Sequence, residues 1–198
     1  FRVYEMFMGP FDQTASWSMD SIRGCFKFLD RVWNLQDILV DGDTYSPEFE
    51  KMMHKAIKKV SKDIEDMKFN TCISTFMTMI NEFTRLKHIN RAEFKTFITL
   101  LNPFAPHITE ELNSVVGFDK DISTYSWPEY DEDKTIDDEI EIPIQVNGKL
   151  KATIMINLDE EETSVKNKVH EAIEDKLDGK SIVKEIYIKN KIYNIVVK

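Results

Sequence analysis

The apolar residues of this chain change their spacing once, and that change limits the folds open to it. Up to about residue 118 they recur every three to four positions, as on helices with one buried face. From residue 139 they alternate, as on half-buried strands. Neither a lone bundle nor a lone sheet satisfies both rhythms. The expected fold is therefore α+β in two domains, an antiparallel α-helical bundle followed by a small β-β-α-β-β domain.

The helical part has clear punctuation. Ser18, or one of its near neighbours, caps a first helix whose face is Ile22, Phe26, Leu29 and Trp33. Ser46-Pro47-Glu48 opens a second with a capping hydroxyl, a proline at the first position and an early carboxylate. Phe49, Met52, Met53, Ala56, Ile57, Val60, Ile64 and Met67 form its apolar face. A third runs from Thr71 to Leu86, with Ile73, Phe76, Met77, Ile80 and Phe83 inward. Asn90 and Glu93 make a capping pair for a fourth. A short fifth helix spans Glu110 to Val116 and ends at Gly117. Residues 1–18 are read as a junction and 19–118 as the bundle.

Beyond it, residues 119–138 are an acidic linker, self-repelling and held only at Trp127 and Tyr130. In the domain at 139–198, Asn147-Gly148 separates Ile140, Ile142, Ile144 and Val146 from Leu150, Ala152, Ile154 and Ile156, which marks a hairpin. Val165, Val169, Ala172, Ile173 and Leu177 form a helical face ended by Gly179. Two strands follow, Glu185–Ile188 and Ile192–Val197. The last is apolar on both faces, so it belongs inside the sheet.

A net charge of −9 argues against a nucleic-acid partner until it is divided along the chain. The linker alone carries −6, leaving −2 before it and −1 after it. Basic faces are therefore compatible with the two bodies. No apolar run reaches the roughly 18 residues a membrane span needs. The start at Phe1 lacks a signal-peptide layout, so the sequence reads as a piece of something longer. Cys25 and Cys72 fall on apolar faces, as buried reduced thiols do. No metal-ligand spacing, phosphate loop or catalytic constellation is present; Asp41-Gly42-Asp43 lacks the later ligands of a calcium loop. Asp131-Glu132-Asp133 and Glu160-Glu161-Glu162 read as solvated charge.

The positive signals are basic stripes. Lys51, Lys55, Lys58 and Lys62 lie opposite the apolar face of the second helix, with His54 and Lys59 beside them and no acid from 51 to 62. Arg23, Lys27 and Arg31 make a shorter stripe on the first helix. In the small domain Lys149 and Lys151 share a strand face, and Lys180, Lys184, Lys189 and Lys191 cluster after the helix and in the second turn. Such runs are either solvated surface or contacts to phosphates.

Particular runs of residues go further. Arg2-Val-Tyr-Glu-Met-Phe-Met-Gly-Pro10 with Trp17-Ser18, and Phe28-Leu-Asp-Arg-Val-Trp-Asn-Leu35, resemble bacterial leucyl-tRNA synthetases. Leu100-Leu-Asn-Pro-Phe-Ala-Pro-His-Ile-Thr-Glu-Glu-Leu112 is similar to the signature of anticodon-binding bundles in the leucyl, isoleucyl and valyl enzymes. Trp127-Pro-Glu-Tyr-Asp131, Gln145-Val-Asn-Gly-Lys149 and the ending Lys189-Asn-Lys-Ile-Tyr-Asn-Ile-Val-Val197 are similar to the leucyl branch. Two departures stand out. Asn113 replaces a frequent Trp, removing a core anchor, and Lys189-Asn190 replaces a common Pro-Gly, although Asn tolerates the left-handed turn.

The resemblance implies the C-terminal part of a monomeric cytoplasmic ligase. Its partner would be tRNA(Leu), not DNA or a membrane, held through backbone and shape. It implies that leucine activation with ATP and magnesium, and editing, belong to upstream domains, with no cofactor here. The bundle would lie along the inner side of the tRNA and the terminal domain would reach its outer corner. The competing expectation is a protein-interaction module whose basic helix faces meet an acidic partner.

Overall fold

The computed structural model describes residues 1–10, 12–118, 120–136, 139–173 and 181–198. They divide into a helical unit, Phe1–Thr135, and an α/β unit, Ile136–Lys198. No helix among the described residues is long and apolar enough to cross a membrane.

Buried side chains at helical spacing build the helical unit around α1 (Arg2–Phe7), α2 (Met19–Trp33), α3 (Pro47–Glu65), α4 (Phe69–Leu86), α5 (Arg91–Leu101) and α6 (Pro106–Val115). Ser18 caps α2 by accepting from the Ser21 amide at 3.3 Å. The face α2 buries overlaps the expected one only in part: Ile22 and Leu29 pack against the core, but Cys25, Phe28 and Val32 are its buried residues, while Phe26 is 70% exposed and Trp33 lies at the surface. Two apolar stripes overlap on this helix, and periodicity cannot say which one meets a neighbour. Packing against α1, α4 and α6 selects the first.

α3 starts at Pro47 as the sequence implied, but the Ser46 hydroxyl does not cap it. It donates instead to Glu93 Oε1, which also accepts from the Ser46 amide at 2.7 Å. Glu93 is fully buried and completes the expected capping box: its N–H donates to Asn90 Oδ1 at 2.9 Å, and its Oε2 accepts from the Asn90 amide at 2.8 Å. One carboxylate thus binds the starts of α3 and α5. Ahead of each helix runs a two-residue strand, β1 (Leu39–Val40) and β2 (Ile89–Asn90), and the two pair in parallel. The core is aromatic: Phe76 meets Phe97 and Phe104 edge-on at 6.0 and 5.5 Å. Pro106 begins α6 four residues before the expected start, because proline at the first position preorganises rather than breaks a helix. Cys25 and Cys72 are buried and free; burial pushes the Cys72 thiol up to about 12.

Asn113, which stands where the resemblance led us to expect a lost anchor, is buried as a polar clamp. Its Nδ2 donates to the Lys120 carbonyl at 2.8 Å, and its Oδ1 accepts from the Tyr125 hydroxyl at 3.0 Å.

In the α/β unit, β3 (Glu139–Val146), β4 (Lys149–Asn157), β5 (Ile182–Ile188) and β6 (Ile192–Val197) form a sheet in the order β4-β3-β6-β5. β6 lies inside it, parallel to β3, as its two apolar faces implied. Helix α7 (Glu162–Ile173) covers one side through Val165, Val169 and Ile173, which pack with Ile142, Ile144, Ile156, Tyr193 and Ile195. Leu177 and Gly179, expected on this helix and at its end, lie outside the described residues. Asn147 and Gly148 both take positive φ, 48° and 77°, as a two-residue hairpin turn requires. Leu150 departs from the expected alternation and is 62% exposed. A register shift opposite Ile144 and Gln145 inserts an extra residue in β4 and turns Leu150 outward. Asn190 at φ 58° supplies the left-handed residue of the last turn.

Candidate nucleic-acid interface

The lysines of α3 are arranged by the same rhythm that buries its other side. Phe49, Met53, Ala56, Ile57 and Val60 anchor the helix in the core, which fixes the rotation of the opposite face. Lys55, Lys58 and Lys62 then converge with Lys59 and Lys68 on a recess of about 520 Å³, lined also by Asp63, Asp66 and Thr135. Asp63 is buried and engaged by Lys59 and by the Thr71 hydroxyl. Asp66 accepts from Lys68 at 2.8 Å, and that hydrogen bond holds its carboxyl below the usual range. Lys51 lies on a neighbouring groove of about 450 Å³, with Lys55 and Lys59 around an apolar floor that includes Met52 and Met79.

The acidic segment runs along this helix. Trp127 Nε1 donates to Ser61 Oγ at 2.8 Å, and the Asp131 amide donates to His54 Nδ1 at 3.0 Å. Glu132 pairs with Lys58, Tyr130 places its ring 6.0 Å from the same ammonium, and Lys134 bonds Glu50 at 2.7 Å. The contacts fall at residues 50, 54, 58 and 61 of α3, one stripe beside the lysines. A segment expected to touch the bundle at Trp127 and Tyr130 is therefore held along three turns. Glu132 finds a counter-charge in Lys58, whereas Lys134 meets an acid of α3, Glu50, so the segment is fastened by bonds of both polarities.

The other basic residues are more scattered. On α2, Arg23 pairs with Asp20 at 3.3 Å, Arg31 donates to Asn81 Oδ1 at 2.8 Å, and Lys27 is exposed. In the α/β unit Lys149, Lys151, Lys184 and Lys191 are exposed, and Lys189 pairs with Asp159 at 2.9 Å. Lys180 lies outside the described residues. Glu160, read from sequence as solvated charge, accepts from the Asn157 amide and Lys168 at 2.8 Å and from the Ser164 hydroxyl. The bonds from Lys168, Ser164 and Asn157 bring its carboxyl down to about 2.

Sequence reasoning overlooked Lys68, Arg91 and Lys95. The i, i+4 spacing of Arg91 and Lys95 on α5 was visible, but nothing local indicated that Phe118 and Tyr125 would pack beneath them. Arg91 lies 4.8 Å from the Phe118 ring, and Lys95 lies 4.4 Å from the Tyr125 ring.

Residues 47–169 match the model of a family described as the anticodon-binding domain of tRNA ligase. The chain is 49% identical over 199 residues to a leucine–tRNA ligase of Alkaliphilus oremlandii, covering all of this chain and 25% of that protein. It also resembles, with a TM-score of 0.73 and 25% identity, a LeuRS–tRNA–LeuAMS ternary complex from Agrobacterium radiobacter. All of this chain and 28% of that one align. This chain thus spans about a quarter of the length of either relative. It belongs to the family of anticodon-binding domains of tRNA ligases.

Proposed function

We propose that this chain is the tRNA-docking portion of a leucine–tRNA ligase, binding tRNA(Leu) through backbone phosphates and shape. The observation that carries this reading is the convergence of Lys55, Lys58, Lys59, Lys62 and Lys68 on one recess, within residues that match the family. Several ammonium groups at one surface release counterions when phosphates replace them, and this drives binding without base readout. ATP-dependent leucylation would belong to the remainder of a longer, monomeric, cytoplasmic enzyme. The role of this part would be to orient the acceptor end in a distant site. Within it, residues 19–118 and 139–198 would grip separate regions of the tRNA, joined by 119–138.

The test is tRNA binding across a salt series. Lys55, Lys58 and Lys62 changed together to Ala should lower the slope of log affinity against log salt by up to ~2.7, at ~0.9 per phosphate contact. An unchanged slope would remove α3 from the interface. Comparing tRNA(Leu) with an unrelated tRNA would separate cognate from general affinity.

One observation favours a second reading, an acidic protein partner on the same face. That face already accepts acidic polypeptide, because Glu132 and its neighbours lie on it. Binding of an acidic peptide with no tRNA binding at low salt would select this alternative.

A further inference from the structure

A cleft of about 670 Å³ opens elsewhere on the helical unit, between the loop at Gly42–Tyr45, α3 at Glu50 and His54, the first half of α5 and Phe118. Its volume is within the range of sites that hold small molecules or single nucleotides. Two cations on consecutive turns of α5, Arg91 and Lys95, line it. They are held differently from several other basic residues of this unit. Lys58, Lys59, Lys68, Arg85 and Lys134 each have a carboxylate partner. Among the described residues, none pairs with Arg91 or Lys95.

Aromatic rings and carbonyls fix these two instead. The Arg91 guanidinium lies over Phe118 and donates to the Val116 carbonyl at 3.2 Å. Lys95 lies over Tyr125 and 5.9 Å from the Phe118 centroid. A ring face positions a cation without placing a full opposite charge beside it, as a carboxylate does. Both cations are thus placed before any ligand arrives, which lowers the ordering cost of binding. Two carboxylates share the cleft: Glu50 is held by Lys134, and Asp43 is exposed. His54 and Tyr45 complete the wall, with the Tyr45 and Thr96 hydroxyls bonded at 2.8 Å.

We infer that this cleft is a second phosphate position for RNA, in which Arg91 and Lys95 hold one phosphodiester of the backbone. The inference rests on the RNA-binding reading above but not on the α3 lysines. Two fixed cations against aromatic rings suit a phosphate with its sugar and base alongside, and disfavour a metal ion or a basic peptide.

The test uses the whole chain, labelled tRNA and a salt series. Lys95→Gln is the principal variant, because Lys95 is exposed and its loss leaves the core intact. Arg91→Gln is added only where circular dichroism and the melting temperature match the parent, since Arg91 also ties down Val116. The expected result is a slope lowered by ~0.9 for Lys95→Gln, additive with the change produced by the α3 triple variant, and restored by Lys95→Arg. An unchanged slope and affinity for Lys95→Gln, with the triple variant still impaired, would overturn the cleft and leave the RNA reading standing. No tRNA binding by the parent chain at low salt would overturn both. Inorganic phosphate displacing tRNA only where Lys95 is present, at millimolar levels, would point to a free-anion site and overturn the backbone assignment. Poly-glutamate binding lost in Lys95→Gln, with tRNA unaffected, would make the cleft a protein site and also overturn it.

Discussion

The helical unit and the α/β unit solve the same problem with different materials. The first buries interlocking aromatic rings and keeps polar residues inside it, among them Glu93, Asp63 and Asn113, each engaged by hydrogen bonds. The second buries almost only Ile and Val around Tyr193, and places its polar fastenings at the rim. There Asn147 bonds both backbone groups of Val197, at 3.0 and 3.2 Å, and Glu160 gathers three donors at the start of α7. In the bundle the amides of Ser46 and Asn90, at the starts of α3 and α5, are reached from the interior by Glu93. Tight turns between strands satisfy their own. A buried carboxylate therefore organises the bundle, while turn geometry organises the sheet.

Cutting into each core gives the largest expected effects. Phe76→Ala should cost about 3–5 kcal/mol in the helical unit, and Ile195→Ala about 2–5 kcal/mol in the α/β unit. In chemical denaturation each variant should move one transition and leave the other in place. Transitions that shifted together would show that the two units do not unfold separately, and would end the comparison.

Glu93→Gln should follow. An amide cannot serve both the Ser46 and Asn90 donors as the carboxylate does, so a loss of about 1–3 kcal/mol is expected in the helical transition alone. Asn147→Ala should cost the α/β unit about 1–2 kcal/mol, because Ala tolerates the left-handed turn poorly and lacks the two bonds to Val197. A loss larger than that of Glu93→Gln would reverse the ranking of interior over rim.

The smallest effect is an acid-dependent one. Glu160 has its carboxyl brought from 4.5 to about 2 in the folded unit. A lowered folded value stabilises the fold above the ordinary carboxylate range. That stability is lost as the pH falls from about 4.5 toward about 2. Thermal melts over this range should show the α/β transition falling, and Glu160→Gln should flatten the fall. An identical acid limb in the variant would show that Glu160 is not its source.

The comparison also shows how far local sequence carries. The capping box at Asn90 and Glu93, the Asn147-Gly148 hairpin and the interior place of β6 were all legible, because each depends on neighbours within one turn or one strand pair. For the candidate site, the spacing of Lys55, Lys58 and Lys62 on one face was legible for the same reason. Their convergence with Lys68, and the cover provided by Glu132, were not.

By itself, then, the sequence determined the elements, the caps, the turns and the basic face of α3, all set by periods of two or 3.6 residues and by local φ preferences. Only the tertiary structure decided which apolar stripe of α2 is buried, that Ser46 turns to Glu93, that the acidic segment lies along α3, and that Arg91 and Lys95 meet aromatic rings. The bonds from Trp127 to Ser61 and from Asp131 to His54 join residues 66 and 77 positions apart. Pairings of that kind depend on how whole elements pack, and no local rhythm encodes them.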